Sequence, residues 1–418
     1  MGTALICEEH TLPARGVTMM GTPRRKAGAL AGQVEGYRVW LKQRGYSPLT
    51  VRNMLTDLSL VGQWLSRERL EAADLSEDRL TALSADQRGV GRRGLAGARG
   101  WLPLLTFLRE LGVVPESQVA ATPLDVLLNR YRCWMDRERG LSAATMLRYV
   151  NTARRFLTDH AMAGGQVAPD RLTGADLNAF LLSECGRISS GSAKGRVAEL
   201  RSLMRFLHLH GLIPRKLGAA VPPVGGWRLA SVPPTMPASK VQLLLDRCPR
   251  DTAVEVRDYA ILMLVARLGL RSIEVARLLL DDIDWRSGEI VVRGKGRRED
   301  RLPLPVEAGE SVVSYLSGPR PRLDDRHLFL TCRAPWAPIR ADLVSDVVKR
   351  ACLRAGLARV GPHRLRHALA EQMLRQGAGL TAIGQVLRHQ DLATTALYAK
   401  VDLAALRQVA QPWPGAAA

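Results

Sequence analysis

The chain has 418 residues, 46% apolar and 24% charged, enough for two to four globular domains and unlike a disordered or fibrous polymer. Aromatics are only 5%, so Leu, Val and Ala must fill the cores, which favours helices over sheets. Sixty Lys and Arg against forty Asp and Glu leave a net charge of +20, a surplus that attracts polyanions and makes nucleic acid the first partner to consider. Cys7, Cys133, Cys185, Cys248, Cys332 and Cys352 are scattered with no CxxC pair, so neither a zinc site nor a disulfide framework is expected. No run of eighteen apolar residues and no signal-peptide order occur, so a soluble, cytoplasmic protein without membrane contact is expected.

Residues 1–29 lack periodicity, carry Arg24, Arg25 and Lys26, and read as a flexible basic tail. A helical unit follows over 30–116, with Tyr37, Trp40 and Leu41 on one helix face and Leu55, Leu58 and Val61 on another. A second helical unit over 123–216 repeats the first. Tyr37-Arg-Val-Trp40 with Gly45-Tyr-Ser47 returns as Tyr131-Arg-Cys-Trp134 with Gly140-Leu-Ser142, and Phe107-Leu…Gly112…Pro115 returns as Phe206-Leu…Gly211…Pro214. Agreement at both ends reads as duplication, each unit a small helical bundle. Arg88, Arg92, Arg93 and Arg99 add a basic stretch to the first.

Residues 217–237 are dense in Pro and Gly and read as a linker. The last domain spans 238–410, ahead of a tail at 411–418. Ser239 is read as the N-cap of a helix over 240–248, with further helices over 256–268 and 273–280. Glu289–Arg293, Gly294-Lys295-Gly296 and Arg301–Leu304 read as strand, turn and strand. Helices are then expected at about 341–355, 364–376, 380–388 and 393–407. The fold class is thus mainly α: tandem helical bundles before a mixed α+β domain with a small β-sheet or hairpin.

Four segments carry chemistry. Gly269-Leu-Arg271-Ser-Ile-Glu274 puts an arginine at a helix start beside an acid that could orient it. Gly294-Lys295-Gly296 is a hairpin tip. His363-Arg364-Leu365-Arg366-His367 and Leu387-Arg-His389, with Tyr398 nine residues on, complete the set. Each alone is ordinary, and the histidine pair lacks the glutamate of a zinc HExxH motif. Together they supply what phosphodiester cleavage without a metal needs. Tyr398 is a nucleophile, Arg271 and Arg366 offer forked donors to the phosphate, and His363 and His389 hold the phosphate or manage the tyrosine proton. Lys295 can protonate the leaving oxygen.

In this order the segments resemble the tyrosine recombinase (phage integrase) superfamily, with its Xer-like resolvases and mobile-element integrases, over about residues 239–409. The resemblance implies catalytic roles for Arg271, Lys295, His363, Arg366, His389 and the nucleophile Tyr398, with no metal or other cofactor. Arg388 stands where the family commonly has glycine. It also implies a core-binding domain in 123–216, while 30–116 is an extra unit: an arm-site reader, a second clamp or a protein-interaction module. The implied partner is double-stranded DNA at the bacterial nucleoid, gripped by a homotetramer on two sites, docked through 401–409, with room for accessory DNA-bending proteins. The implied reaction is site-specific integration, excision or transposition through a 3′-phosphotyrosine. A topoisomerase-like relaxation and a non-catalytic DNA-binding protein of the same fold are the alternatives.

Overall fold

The computed structural model describes residues 27–89, 98–116, 122–163, 166–225, 236–294 and 298–388. These fall into two compact units, one joining the residues up to 116 with 237–369, the other joining 122–236 with 370–388. No helix among the described residues is long and apolar enough to cross a membrane.

The first bundle opens with a 3-10 turn, Gly28–Gln33, with Leu30 fully buried. Then come α1 (Val34–Gln43), α2 (Pro48–Glu68), α3 (Glu77–Gly89) and α4 (Ala98–Glu110). Ser47 caps α2 by accepting from Thr50 N at 3.2 Å, and Pro48 fills the first helical position, where a missing N–H costs nothing. Apolar positions three and four apart on α1, α2 and α4 converge on one core. At its centre Tyr37, Trp40 and Phe107 meet, with Tyr37–Phe107 and Trp40–Phe107 centroids 5.1 and 5.8 Å apart.

The second bundle contains α5 (Pro123–Arg139), α6 (Ala143–His160), a two-residue ribbon of β1 (Met162–Ala163) and β2 (Gln166–Val167), α7 (Gly174–Cys185) and α8 (Ser190–Leu209). It has the same parts. Ser142 caps α6 from Thr145 N, and Tyr131–Phe206 and Trp134–Phe206 centroids lie 5.1 and 5.7 Å apart. Below α6 and α8, the buried carboxylates of Glu184 and Glu199 hold Arg155, Arg196 and Arg148.

Residues 217–221, read as the start of a linker, pack with the second bundle: Leu217–Ala220 is a 3-10 turn on α8 and Val221 is buried in its core. Next come α9 (Ala238–Asp246), α10 (Ala253–Leu268), α11 (Ser272–Arg277), β3 (Ile283–Asp284), β4 (Glu289–Arg293), β5 (Glu299–Pro303), α12 (Val306–Ser317), α13 (Ala341–Arg354), α14 (Pro362–Arg375) and α15 (Leu380–Val386). The N-cap of α9 is Pro237 rather than Ser239, so the helix starts and ends about two residues early. The helix expected over 273–280 stops at Arg277, because Leu278 turns to an extended backbone. α10 is buried all round from Ala260 to Ala266, as befits the central helix of a domain, and packs on α9, α11, α12 and α13. The strands form one antiparallel sheet in the order β3-β4-β5, with Ile290 facing Ile283 and Leu302, and Arg293 facing Glu299. The second strand of the hairpin begins at Glu299, two residues before the position read from sequence.

Within the first unit, residues 331–337 form a closed loop. Thr331 N donates to Ala337 O at 2.8 Å, Ala337 N to Thr331 Oγ1 at 3.1 Å, and Thr331 Oγ1 to Pro335 O at 2.9 Å. Its outer residue, Trp336, donates its backbone N–H to Arg44 O at 2.9 Å and lays its indole over Gly45. A Cβ at residue 45 would stand 2.1 Å from Trp336 Cε2, and the residue has φ +79°. Only glycine admits both the backbone angle and the close approach.

Candidate active site

The site begins at the junction of α10 and α11. Gly269 ends α10 in the left-handed conformation, φ +59°, which turns the chain so that Arg271 stands at the N-cap of α11. Glu274, whose side chain is 2% exposed, grips Arg271 twice: its carboxylate accepts from Arg271 N at 2.8 Å and from the guanidinium at 2.5 Å. The arginine side chain is 33% exposed, so it is fixed at its root and still reachable from solvent.

α14 supplies the second half. His363 and Arg366 lie one turn apart on it, so their side chains share a face. Arg366 is only 4% exposed, and its guanidinium donates to the carbonyl of Gly269 at 2.5 Å, across 97 residues of sequence. That bond ties the two arginine segments together, because Gly269 is two residues from Arg271. His363 stands at the surface, with part of its ring packed into the site. Burial pushes its pKa below the ordinary histidine value, and the nearby positive charges of Arg366 and Arg271 push it the same way, with Glu274 opposing. The imidazole is therefore neutral at neutral pH, with one nitrogen able to donate and the other to accept. His367, one turn further, is also held neutral, first by burial and then by His363, Arg366 and Arg364.

Arg271, His363 and Arg366 are thus brought together. Lys295, His389 and Tyr398 lie outside the described residues, as does the segment 401–409. The hairpin that leads to Lys295 is described up to its neck, where Gly294 N donates to Arg298 O at 2.8 Å. The chain is also described up to Arg388, just before His389. Arg388 holds φ +55°, the left-handed conformation that glycine adopts freely, is 4% exposed, and donates to Val386 O at 2.8 Å. The departure from glycine therefore keeps the glycine-like backbone angle.

Two features escaped the sequence reading. His367 has a signal, its spacing of four from His363, but its neutral state follows from burial that only the fold provides. The Gly269 carbonyl has no side-chain signal at all. Among the described residues no three His, Cys, Asp or Glu side chains gather in a metal-holding group. The arrangement offers two anchored guanidiniums and a neutral imidazole, a cradle for a tetrahedral anion on which charge builds.

Residues 234–404 match the phage integrase family. A Sinorhizobium fredii protein described as a putative integrase/recombinase, y4rA, is 36% identical over 400 residues, covering 94% of this chain and 97% of the relative. The tyrosine recombinase XerD of Mycobacterium tuberculosis is 30% identical over 313 residues, covering 70% of this chain and 97% of XerD. The crystal structure of the XerH site-specific recombinase bound to its palindromic difH substrate shares the fold at a TM-score of 0.53 and 16% identity, covering 71% of this chain and 98% of that one.

Proposed function

We propose, for a chain that belongs to the phage integrase family of tyrosine recombinases, that Tyr398 attacks the scissile phosphate and that Arg271, Lys295, His363, Arg366 and His389 serve that attack. The protein is a DNA breaking and rejoining enzyme of site-specific recombination. The phenol oxygen forms a bond to phosphorus, giving a 3′-phosphotyrosine, and the departing 5′-oxygen takes a proton from Lys295. In the second step a 5′-hydroxyl of the partner strand attacks that phosphotyrosine and frees Tyr398, so no bond energy is lost and neither ATP nor a metal is required. Arg271 and Arg366 stabilise the charge that builds on the non-bridging oxygens, and the histidines position the phosphate and accept or return the tyrosine proton.

The observation that carries this reading is the Arg366 clamp on the Gly269 carbonyl, which sets two arginines and His363 around one point from segments 97 residues apart. Residues 123–216 act as the core-binding domain, and 30–116 as an arm-type or extra core-binding unit. Four copies gather on two DNA sites at the nucleoid, docked through 401–409, with accessory DNA-bending proteins as further partners. The purpose is integration, excision or transposition of a mobile element.

A radiolabelled nicked suicide duplex tests the chemistry. Tyr398→Phe should bind as the unaltered chain does and form no covalent adduct; trapping of the Phe variant would sink the assignment of the nucleophile. Arg271→Ala and Arg366→Ala should slow cleavage by orders of magnitude with a modest drop in binding, whereas equal drops in both would make them ordinary phosphate-binding residues. Strand transfer should persist in excess EDTA.

A further inference from the structure

The two bundles carry the same corner, and only one of them is filled. In the first, Trp40, Arg44 and Gly45 form a seat that the Trp336 loop occupies. In the second, Trp134, Arg139 and Gly140 hold the matching places, and Gly140, φ +54°, has no atom within 4 Å of where a Cβ would be. Beside it opens a cavity of about 340 Å³ lined by Trp134, Glu138, Arg139, Leu141, Arg205 and Leu209.

Three substitutions between the repeats suit this second corner to an apolar, cationic visitor. Glu110, which binds Arg44 at 3.1 Å and accepts from Trp40 Nε1 at 2.7 Å in the first bundle, is replaced by Leu209, which is 61% exposed. Tyr46 is replaced by Leu141, and Gln43 by Glu138. The guanidinium moves as well. Arg44 stacks 3.8 Å from the Trp40 ring centroid, while Arg139 is drawn onto Ser202 Oγ at 2.7 Å and stands 6.0 Å from the Trp134 ring. Trp134, packed on Tyr131 and Phe206, still lines the cavity, where another ring can reach it. The 331–337 loop matches this lining: it presents an indole, and the exposed Arg333 beside it complements Glu138.

We propose that the Gly140 corner is a receptor for the Trp336 loop of a second copy of this chain. In the lone chain the loop is seated on Gly45. In an assembly a neighbour's loop seats on Gly140, with Arg139 O accepting from Trp336 N as Arg44 O does. One loop and two seats per chain make the two corners competitors, so gathering copies on DNA releases the first bundle from the loop as it joins neighbours through the second. The proposal rests on the reading that several copies assemble on DNA.

The test places a photoreactive benzophenone amino acid at position 336 of the full chain and mixes isotopically light and heavy copies, with and without duplex DNA. Crosslinks within a chain should map to 44–46. Crosslinks between copies should map to 138–141 and 209, and should rise with protein concentration and on DNA. Glu138→Arg, at an exposed position, should lower the second set roughly tenfold by setting like charge against Arg333, and leave the first set intact. Gly45→Ala should evict the loop and raise the second set. Copies that sediment together but crosslink elsewhere, or whose crosslinks ignore Glu138→Arg, would overturn the proposal. Either result leaves the recombinase reading standing, because adduct formation by Tyr398 is read separately.

Discussion

The two helical bundles of this protein are built to one plan and finished differently. Each has a Tyr-x-x-Trp helix, a left-handed glycine, a serine cap and a phenylalanine closing the aromatic core, and the Tyr–Phe centroids stand 5.1 Å apart in both. What separates them is the rim. In the first, Glu110 neutralises the corner arginine and Trp336 covers the glycine; in the second, Leu209 replaces the acid and the glycine is open. Cores built by packing tolerate little change, whereas surface positions shift partners at small energetic cost, so duplicated bundles diverge first at their rims.

The coarsest way to break the comparison is removal. Deleting 1–116 should shorten the DNA footprint and flatten the salt dependence, by roughly 0.9 in log–log slope for each phosphate the protein no longer neutralises, while cleavage of a pre-nicked core site continues. Deleting 118–236 should abolish site binding. Equal effects from the two deletions would erase the division of labour. Next in size, Phe107→Ala and Phe206→Ala should each destabilise their own bundle by about 3–5 kcal/mol in urea unfolding, since each removes the buried ring that closes an aromatic triad. Unequal effects would mean that the shared core is shared only in outline.

The glycines sharpen the contrast. Gly140→Ala should cost about 1 kcal/mol, the strain of a left-handed alanine with open space around it. Gly45→Ala carries that strain and a collision with the Trp336 ring, so its melting temperature should fall further; Trp336→Ala in the same chain should recover the excess. Smaller still is the rim. Glu110→Leu should cost less than about 1 kcal/mol, because the ion pair is half exposed.

Acid gives the slightest difference. In the second bundle Asp176 is held below the usual carboxylate range first by hydrogen bonds from Thr173, and Asp125 likewise by Thr122 and Arg154. Their folded pKa values are depressed, so the stability they add is full above the unfolded value of 3.8 and fades as pH falls through the folded values below it. The cap of α2 is a Ser–Thr pair with no carboxylate. Hydrogen exchange at pH 3 should therefore open α5 and α7 before α2; the reverse order would contradict the capping assignment.

Much of this was legible in the residues because burial imposes a period. Tyr37 and Leu41, or Tyr131 and Met135, announce a buried stripe four apart, and Gly45 and Gly140 mark where it ends. α12 escaped the reading because Pro305 and Gly309 punctuate its start and weaken its helix signal; in the fold a Cβ at Gly309 would meet Leu304 and Trp285 only at ordinary contact distance. β3 is two residues long, too short to show alternation. At the site, residue types and order were readable for Arg271, His363 and Arg366. The anchoring of Arg366 on a backbone carbonyl, and the neutrality of His363, arise where distant segments meet, which no local pattern encodes.

The small sheet has one more consequence. Its order leaves β3 and β5 at the edges, and an open edge offers unpaired backbone groups to any other strand. β3 is too short to template a partner. β5 reads Glu-Asp-Arg-Leu-Pro, three charges and a proline that cannot donate. A second chain therefore meets repulsion and a missing donor where it would otherwise add a strand. A DNA-acting recombinase is in this way protected from edge-to-edge aggregation wherever DNA raises its local concentration.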